Sequence, residues 1–247
     1  MATTYLPVRE LPFAGESLTG LVRRHAVAMQ YRSVGQLLSL MEGVRFPAHL
    51  DHTQRGPALA SLARFVRRDE HVLRQMTAHR WTSRLMLQER GTESPDHCDS
   101  KTLLRFFDAA RPRVCARCLA ESPTLERLVW SFRPLGICAE HAELLVEQCT
   151  QCERRFSPSR LDLVRCQCGF NITEIPPNPV TGRAFELTHR IAAWLEGDES
   201  GPLELPTAAG FLWLDRLRSA VARASVWLEL VKREWATPEP QTDESLA

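Results

Sequence analysis

Lysine is nearly missing from this chain: of 31 basic residues only Lys101 and Lys232 are lysine, and the rest are arginine. Arginine presents a planar fork that suits phosphate and carboxylate, although the codons of a GC-rich genome produce the same bias. No run of about 18 apolar residues occurs, so no membrane span is expected. The opening "MATTYLPVRE" has no charged stretch followed by an apolar one, so no secretory signal is expected either. A cytosolic home follows, where paired cysteines serve metal or redox chemistry rather than disulfides. Common active-site motifs are missing too. There is no G-x-x-x-x-G-K-S/T, no G-x-G-x-x-G after a strand, no H-E-x-x-H and no G-x-S-x-G. His25 and His71 lie on or beside apolar helix faces and read as packing or surface residues, not bases. A recruiting protein fits better than a catalyst.

The chain that remains has 247 residues, 44% of them hydrophobic, enough to bury a core. Its net charge of +1 is unevenly spread: residues 1–90 hold 13 arginines against 7 acids, and the remainder is acidic. A basic N-terminal part is compatible with nucleic-acid contact. Ser17 caps an expected helix whose stripe is Leu18, Leu21, Val22, Ala26 and Met29. Ser33 and Gly43 bracket a second. Pro57 starts a third, and Asp69 caps a fourth with Val72, Leu73 and Met76 inward. The tight junction "ARFVRRDEHVL" is compatible with a helix-turn-helix, a pattern that ordinary helical hairpins share. Arg23, Arg24, Arg67, Arg68 and Arg74 are the candidate contacts to nucleic acid or a partner. "RAFELTHRIAAWLEG" and the stretch ending near Trp235 read as further helices, and the acidic tail as disordered.

The cysteines carry the strongest signal. Seven of the eight, with one histidine, form pairs: Cys115 and Cys118, Cys138 and His141, Cys149 and Cys152, Cys166 and Cys168. Two residues between a pair, or one between Cys166 and Cys168, place both donors at two corners of a zinc tetrahedron, so four pairs make two closed structural sites. Sequential grouping leaves 19 residues between the pairs of the first site and 13 within the second, both ordinary. Cross-braced grouping would need the chain to interleave. In the sequential case Ala142–Gln148, "AELLVEQ", is expected to be a short helix joining the sites. Arg113, Arg117, Arg154, Arg155 and Arg165 would offset thiolate charge. Cys98, beside His97, has no pair and reads as a free thiol.

Two blocks in this order resemble one family. "LPVRELPFAGESLTGLVRRHA" is similar to the L-P-x-R-x-x-P-x-x-G-E-S-L opening of TniQ proteins. "CARCL…W…ICAEHAELLVEQCTQC…CQCGF" is similar to their zinc section, with Ala116 and Ala139 where proline is frequent. The resemblance covers residues 5 to about 170. It implies a mainly α fold with small zinc-stabilised β elements: a helix-turn-helix-like region over 1–95, a tandem zinc-finger centre over 96–176 and a helical region over 177–235, with a tail over 236–247. It implies two structural zinc ions and no enzymatic activity. It implies a bacterial, DNA-associated role in selecting the target site of transposition. The expected partners are an AAA+ ATPase regulator of the TnsC or TniB kind, a guide-RNA CRISPR effector or other targeting complex, and DNA or RNA backbone. Some members act as head-to-tail dimers. Only about 77 residues follow Phe170, so sequence-specific binding by the chain alone is not expected. The alternative is an autonomous zinc-containing helix-turn-helix DNA-binding regulator.

Overall fold

The computed structural model describes residues 8, 10–41, 47–52, 57–81, 107–133 and 135–196. Cys98 and His97, the helices expected beyond residue 200 and the tail lie outside them. Among the described residues the regular structure is helical, and extended segments meet only in seven isolated antiparallel bridges. No helix there is long and apolar enough to cross a membrane.

Helix α1 spans Leu18–Ala28. Ser17 Oγ accepts the Gly20 amide at 2.9 Å, as the cap reading requires. Leu18, Leu21, Val22 and Ala26 are fully buried. The helix ends in a paired closure: Tyr31 N–H bonds Ala26 O and Gln30 N–H bonds Val27 O, with Gln30 at φ +58°. Helix α2, Val34–Leu38, is capped by Ser33 and stops at Ser39, before Gly43, which lies outside the described residues. Helix α3 spans Pro57–Val66 and repeats the α1 ending. Arg68 N–H bonds Ala63 O, Arg67 N–H bonds Arg64 O, and Arg67 sits at φ +53°. That closure makes the tight junction to α4, Glu70–Arg74, which has about one and a half turns. Asp69 precedes α4 but makes no side-chain cap bond, and Val72 is 38% exposed rather than inward. These helices bury one core around Leu21, Leu37, Leu62 and Leu73.

A second core joins distant segments. Trp81 stacks on Phe107 at 5.4 Å between centroids, Phe107 meets Phe132 at 5.1 Å, and Ile191 and Leu195 of the last described helix close over them. That helix, α6, spans Arg183–Glu196, and its end is tied to Arg80 through Glu196 at 2.8 Å. The third core surrounds the cysteines and includes Trp130, Phe156, Leu163 and Ile172. Helix α1 lies directly against the cysteine region. Ser17 N–H bonds Glu126 O, Leu128 N–H bonds Gly15 O, and a Cβ on Gly20 would lie 3.1 Å from the Glu126 Cβ. A larger residue would press on the Glu16 and Glu126 side chains, so glycine eases this close approach.

Segment 142–148 is not a helix. Its amide hydrogens go outward: Leu144 to Asn178 O, Leu145 to Gly136 O and Val146 to Val114 O. Extended pairing with three different neighbours replaces the i to i−4 bonds that a helix would need. Leu145 and Val146 still pack onto the third core, as joining residues should.

Candidate metal centres

Helix α5, Ala116–Glu121, presents the first pair from its start. Cys115 is its N-cap and its sulfur faces the Cys118 amide at 3.5 Å. The second pair sits in a turn closed by Ala142 N–H to Cys138 O, with Ala142 at φ +54°. The third pair repeats this turn: Glu153 N–H bonds Cys149 O and Glu153 has φ +59°. In the fourth, Gly169 N–H bonds Cys166 O at φ +90°, a conformation that glycine supplies without steric cost. A left-handed residue straight after the second donor turns the chain back and leaves both donors on one side.

These turns bring the eight donors into two groups, Cys115, Cys118, Cys138, His141 and Cys149, Cys152, Cys166, Cys168, each with its donor atoms within 4.8 Å of one another. The grouping is the sequential one. A tetrahedron with metal–sulfur bonds near 2.3 Å has edges of about 3.8 Å. In the first group Cys118 and Cys138 sulfurs are 3.6 Å apart, and His141 Nδ1 lies 3.2, 3.5 and 3.7 Å from Cys118, Cys115 and Cys138. In the second, Cys149 to Cys168 and Cys152 to Cys166 are both 3.7 Å. Both donor sets therefore fit a tetrahedral metal ion.

The donor chemistry agrees. Hydrogen bonds from Cys115 and Cys118 hold the Cys138 thiol far below its ordinary pKa, and the same sharing pushes Cys118 up. Sulfurs this close all ionise only when a cation joins them. His141 faces its group with Nδ1 while Nε2 meets Glu121 at 2.9 Å, the outer carboxylate that orients a ligating imidazole. The first group is buried in its three cysteines, whereas in the second Cys152 and Cys166 are half-buried and Cys168 is exposed.

The arginines near the sites are mostly committed to other groups. Arg113 donates to the carbonyls of Trp130, Phe132 and Arg133. Burial lowers its pKa to about 10. Arg117 pairs with Glu143 at 3.3 Å and Arg155 with Glu147 at 4.0 Å. Thiolate compensation by these three is not what the structure shows.

Arg23 and Arg24 require a larger correction. Both are buried, at 2% and 8% exposure, and both are paired with acids, so neither faces outward for a phosphate. Arg23 meets Glu126 and donates to Arg160 O at 2.7 Å and Pro158 O at 3.2 Å. Arg24 holds both Glu16 oxygens at 2.7 and 2.8 Å, reaches Glu10 at 2.7 Å and stacks over Phe13 at 4.2 Å. Three residues of the opening stretch thereby gain a role. Glu16 anchors Arg24, Ser17 caps α1, and Phe13 covers the guanidinium. Sequence reading missed Glu16, Glu126 and Arg160 because their partners are 8 to 137 positions away and follow no helical period.

Arg67, Arg68 and Arg74 lie at the α3–α4 corner. Arg67 is exposed, and the other two are half-buried. A shallow groove of about 630 Å³ runs there, lined by Arg64, Arg67 and Arg68 together with the acids Asp69 and Glu70. Arg64, at an exposed position of α3, was the basic residue of this corner left out of the sequence reading.

No curated protein matches the chain. The TniQ family model matches residues 7–145, which run from the opening motif through α1 to α5 and the whole first donor group. That match spans more than half of the chain, which therefore belongs to the TniQ family and with it to the proteins associated with DNA transposition.

Proposed function

We propose that the chain is a non-catalytic connector in transposition, holding two structural zinc ions and linking a targeting complex or target DNA to an AAA+ ATPase regulator that recruits the transposase. The observation that carries this reading is that each site is complete with four protein donors. A catalytic zinc keeps a position for water, whereas a four-donor site contributes folding free energy instead. Thiolate-rich tetrahedral sets suit zinc or iron, and the Cys and His set of the first site favours zinc. The family-matched segment also packs as one unit with the first site, through the Glu126 and Leu128 contacts to the start of α1. Such a frame presents surfaces rather than a reaction centre.

Nucleic-acid backbone contact is assigned to Arg67, Arg68 and Arg74, with Arg64 beside them. The neighbouring Asp69 and Glu70 and the shortness of α4 disfavour base reading by this corner. The targeting device, a guide-RNA CRISPR effector or another complex, belongs to the proposal, as do homodimer formation and a bacterial cytoplasmic location. Co-purification tests the reading. The full chain should carry two zinc per molecule, co-elute with the ATPase encoded by the same transposon and bind duplex DNA only weakly. A chain that alone selects one duplex over random sequence by about 10³ or more at physiological salt would instead be an autonomous regulator.

A further inference from the structure

Among the described residues, only Arg160 leaves all three guanidinium nitrogens buried without a hydrogen-bond acceptor. The residue is 9% exposed. Buried cations are normally paired and hydrogen-bonded, because a stranded one is expensive. Two carboxylates are close enough to attract it, yet neither takes a nitrogen. Glu126 is held by Arg23, and the exposed Asp162 turns Oδ1 to the amides of Val164 and Arg165 at 2.8 and 3.0 Å. The guanidinium lies over the Phe156 ring at 4.2 Å from its centroid. Stacking covers a face of the fork but leaves its N–H groups, which point along the plane. Phe156 belongs to the core against which Cys152 and Cys166 pack. Burial lowers the Arg160 pKa to about 10 and Arg23 lowers it further, whereas negative charge on Glu126, Cys166 and Asp162 pulls it back. Cys166 is the one metal-donor sulfur in that set.

A bound ion changes the charge at this place. Four thiolates around one divalent ion leave the second centre with a formal charge of −2, and three thiolates with a neutral imidazole leave the first with −1. Arg154, Arg155 and Arg165 are exposed, so water screens whatever they offer the second centre. A buried water would give Arg160 acceptors but no charge. We propose that Arg160 is the internal counter-ion of the second metal centre: with a divalent ion bound, its guanidinium donates to the Cys166 sulfur and offsets the excess thiolate charge. Arg160 is then a positioning residue that acts on the metal through Cys166. Its carbonyl accepts Arg23 Nε at 2.7 Å, so one residue ties the metal by its side chain and α1 by its backbone. The inference rests on the metal reading of the second centre and adds what balances its charge.

The full chain, loaded with zinc or with cadmium-113, tests this. Cadmium NMR separates a four-sulfur site from a three-sulfur one. Arg160→Met keeps the carbonyl and an apolar stem over Phe156 but removes the charge and the donors. It should hold the second zinc about tenfold or more weakly against a chelating dye. It should also displace the four-sulfur cadmium signal and leave the three-sulfur signal in place. Arg160→Lys restores a cation without the fork. Its zinc affinity should return to within about threefold of native, with the four-sulfur signal still displaced. A Met variant with native affinity and an unmoved signal overturns the proposal, and so does a Lys variant as weak as the Met one. Should Arg160→Met fail to fold, the native chain and Arg160→Lys decide, and identical four-sulfur signals in the two overturn it. A native chain with no four-sulfur signal sinks the metal reading as well, whereas a native signal indifferent to position 160 removes this inference alone.

Discussion

Arg23 shows how a residue that looks like a surface contact becomes part of a frame. Its carboxylate partner Glu126 is equally enclosed, so removing the guanidinium leaves a buried charge without a counter-ion. Arg23→Ala should cost about 3–5 kcal/mol in chemical denaturation, and the double variant Arg23→Met with Glu126→Leu should cost less than the single one, because burying neither charge avoids both desolvation terms. Close by, Asp51 accepts the Thr19 amide at 2.8 Å and is buried. Burial, helped by the Glu126 charge, pushes its carboxyl up to about 7 from an ordinary 3.8. Between about pH 4 and 7 the unfolded chain releases this proton while the folded chain keeps it. Folding therefore loses free energy as pH rises through that window, and the loss levels off above about 7. Asp51→Asn keeps the acceptor and removes the titration. Its stability relative to the native chain should rise from pH 4 to 7, by up to about 4 kcal/mol, and urea midpoints at stepped pH measure this.

Elements here are decided largely at their ends. Helices α1 and α3 both close with a left-handed residue that is not glycine, Gln30 and Arg67, and the metal turns use Ala142 and Glu153 in the same way. A side chain in that region costs on the order of 1 kcal/mol. Gln30 is exposed, so Gln30→Gly should raise stability by up to about 1 kcal/mol with no change in metal content, read as a shift in melting midpoint. Starts were legible from Ser17, Ser33 and Pro57, because a cap acts through its own side chain or ring on amides a few residues away. Stops were not, because without glycine nothing local marks the reversal. Segment 142–148 failed for a related reason. Its composition allows a helix, but its amides are claimed by Val114, Gly136 and Asn178.

Across the whole molecule the two metal centres differ in shielding. The first is enclosed by the third core, and the second leaves Cys168 at the surface. With zinc in both sites as proposed, a chelator should therefore remove it in two phases, the fast one from the second site, as followed with a zinc-sensitive dye. Cys152→Ser should abolish the fast phase and Cys118→Ser the slow one. Cys118→Ser should also unfold the segment around the first site, since structural zinc supplies on the order of 10 kcal/mol in small domains. A variant that keeps two zinc and native stability would show the ligand assignment to be wrong. Loss of the second zinc should reach α1 as well. The loop between Cys152 and Cys166 carries the Pro158 and Arg160 carbonyls that hold Arg23, and its Leu161 packs on the helical core.

The four donor pairs and the helical class were legible in the sequence alone, whereas the choice of sequential over cross-braced grouping took the fold. Those legible features are local: donors two or three positions apart share a turn, and apolar residues at helical spacing share a face. The fate of the arginines was decided only by tertiary structure. Arg23 and Glu126 are 103 positions apart, and no spacing rule connects them. A guanidinium in a sequence suits phosphate and carboxylate equally well, and only the fold shows which one it meets. Here the fold puts the carboxylates inside, beside α1, and so turns Arg23 into the joint between α1 and the metal centres and Arg24 into the clamp on the opening stretch.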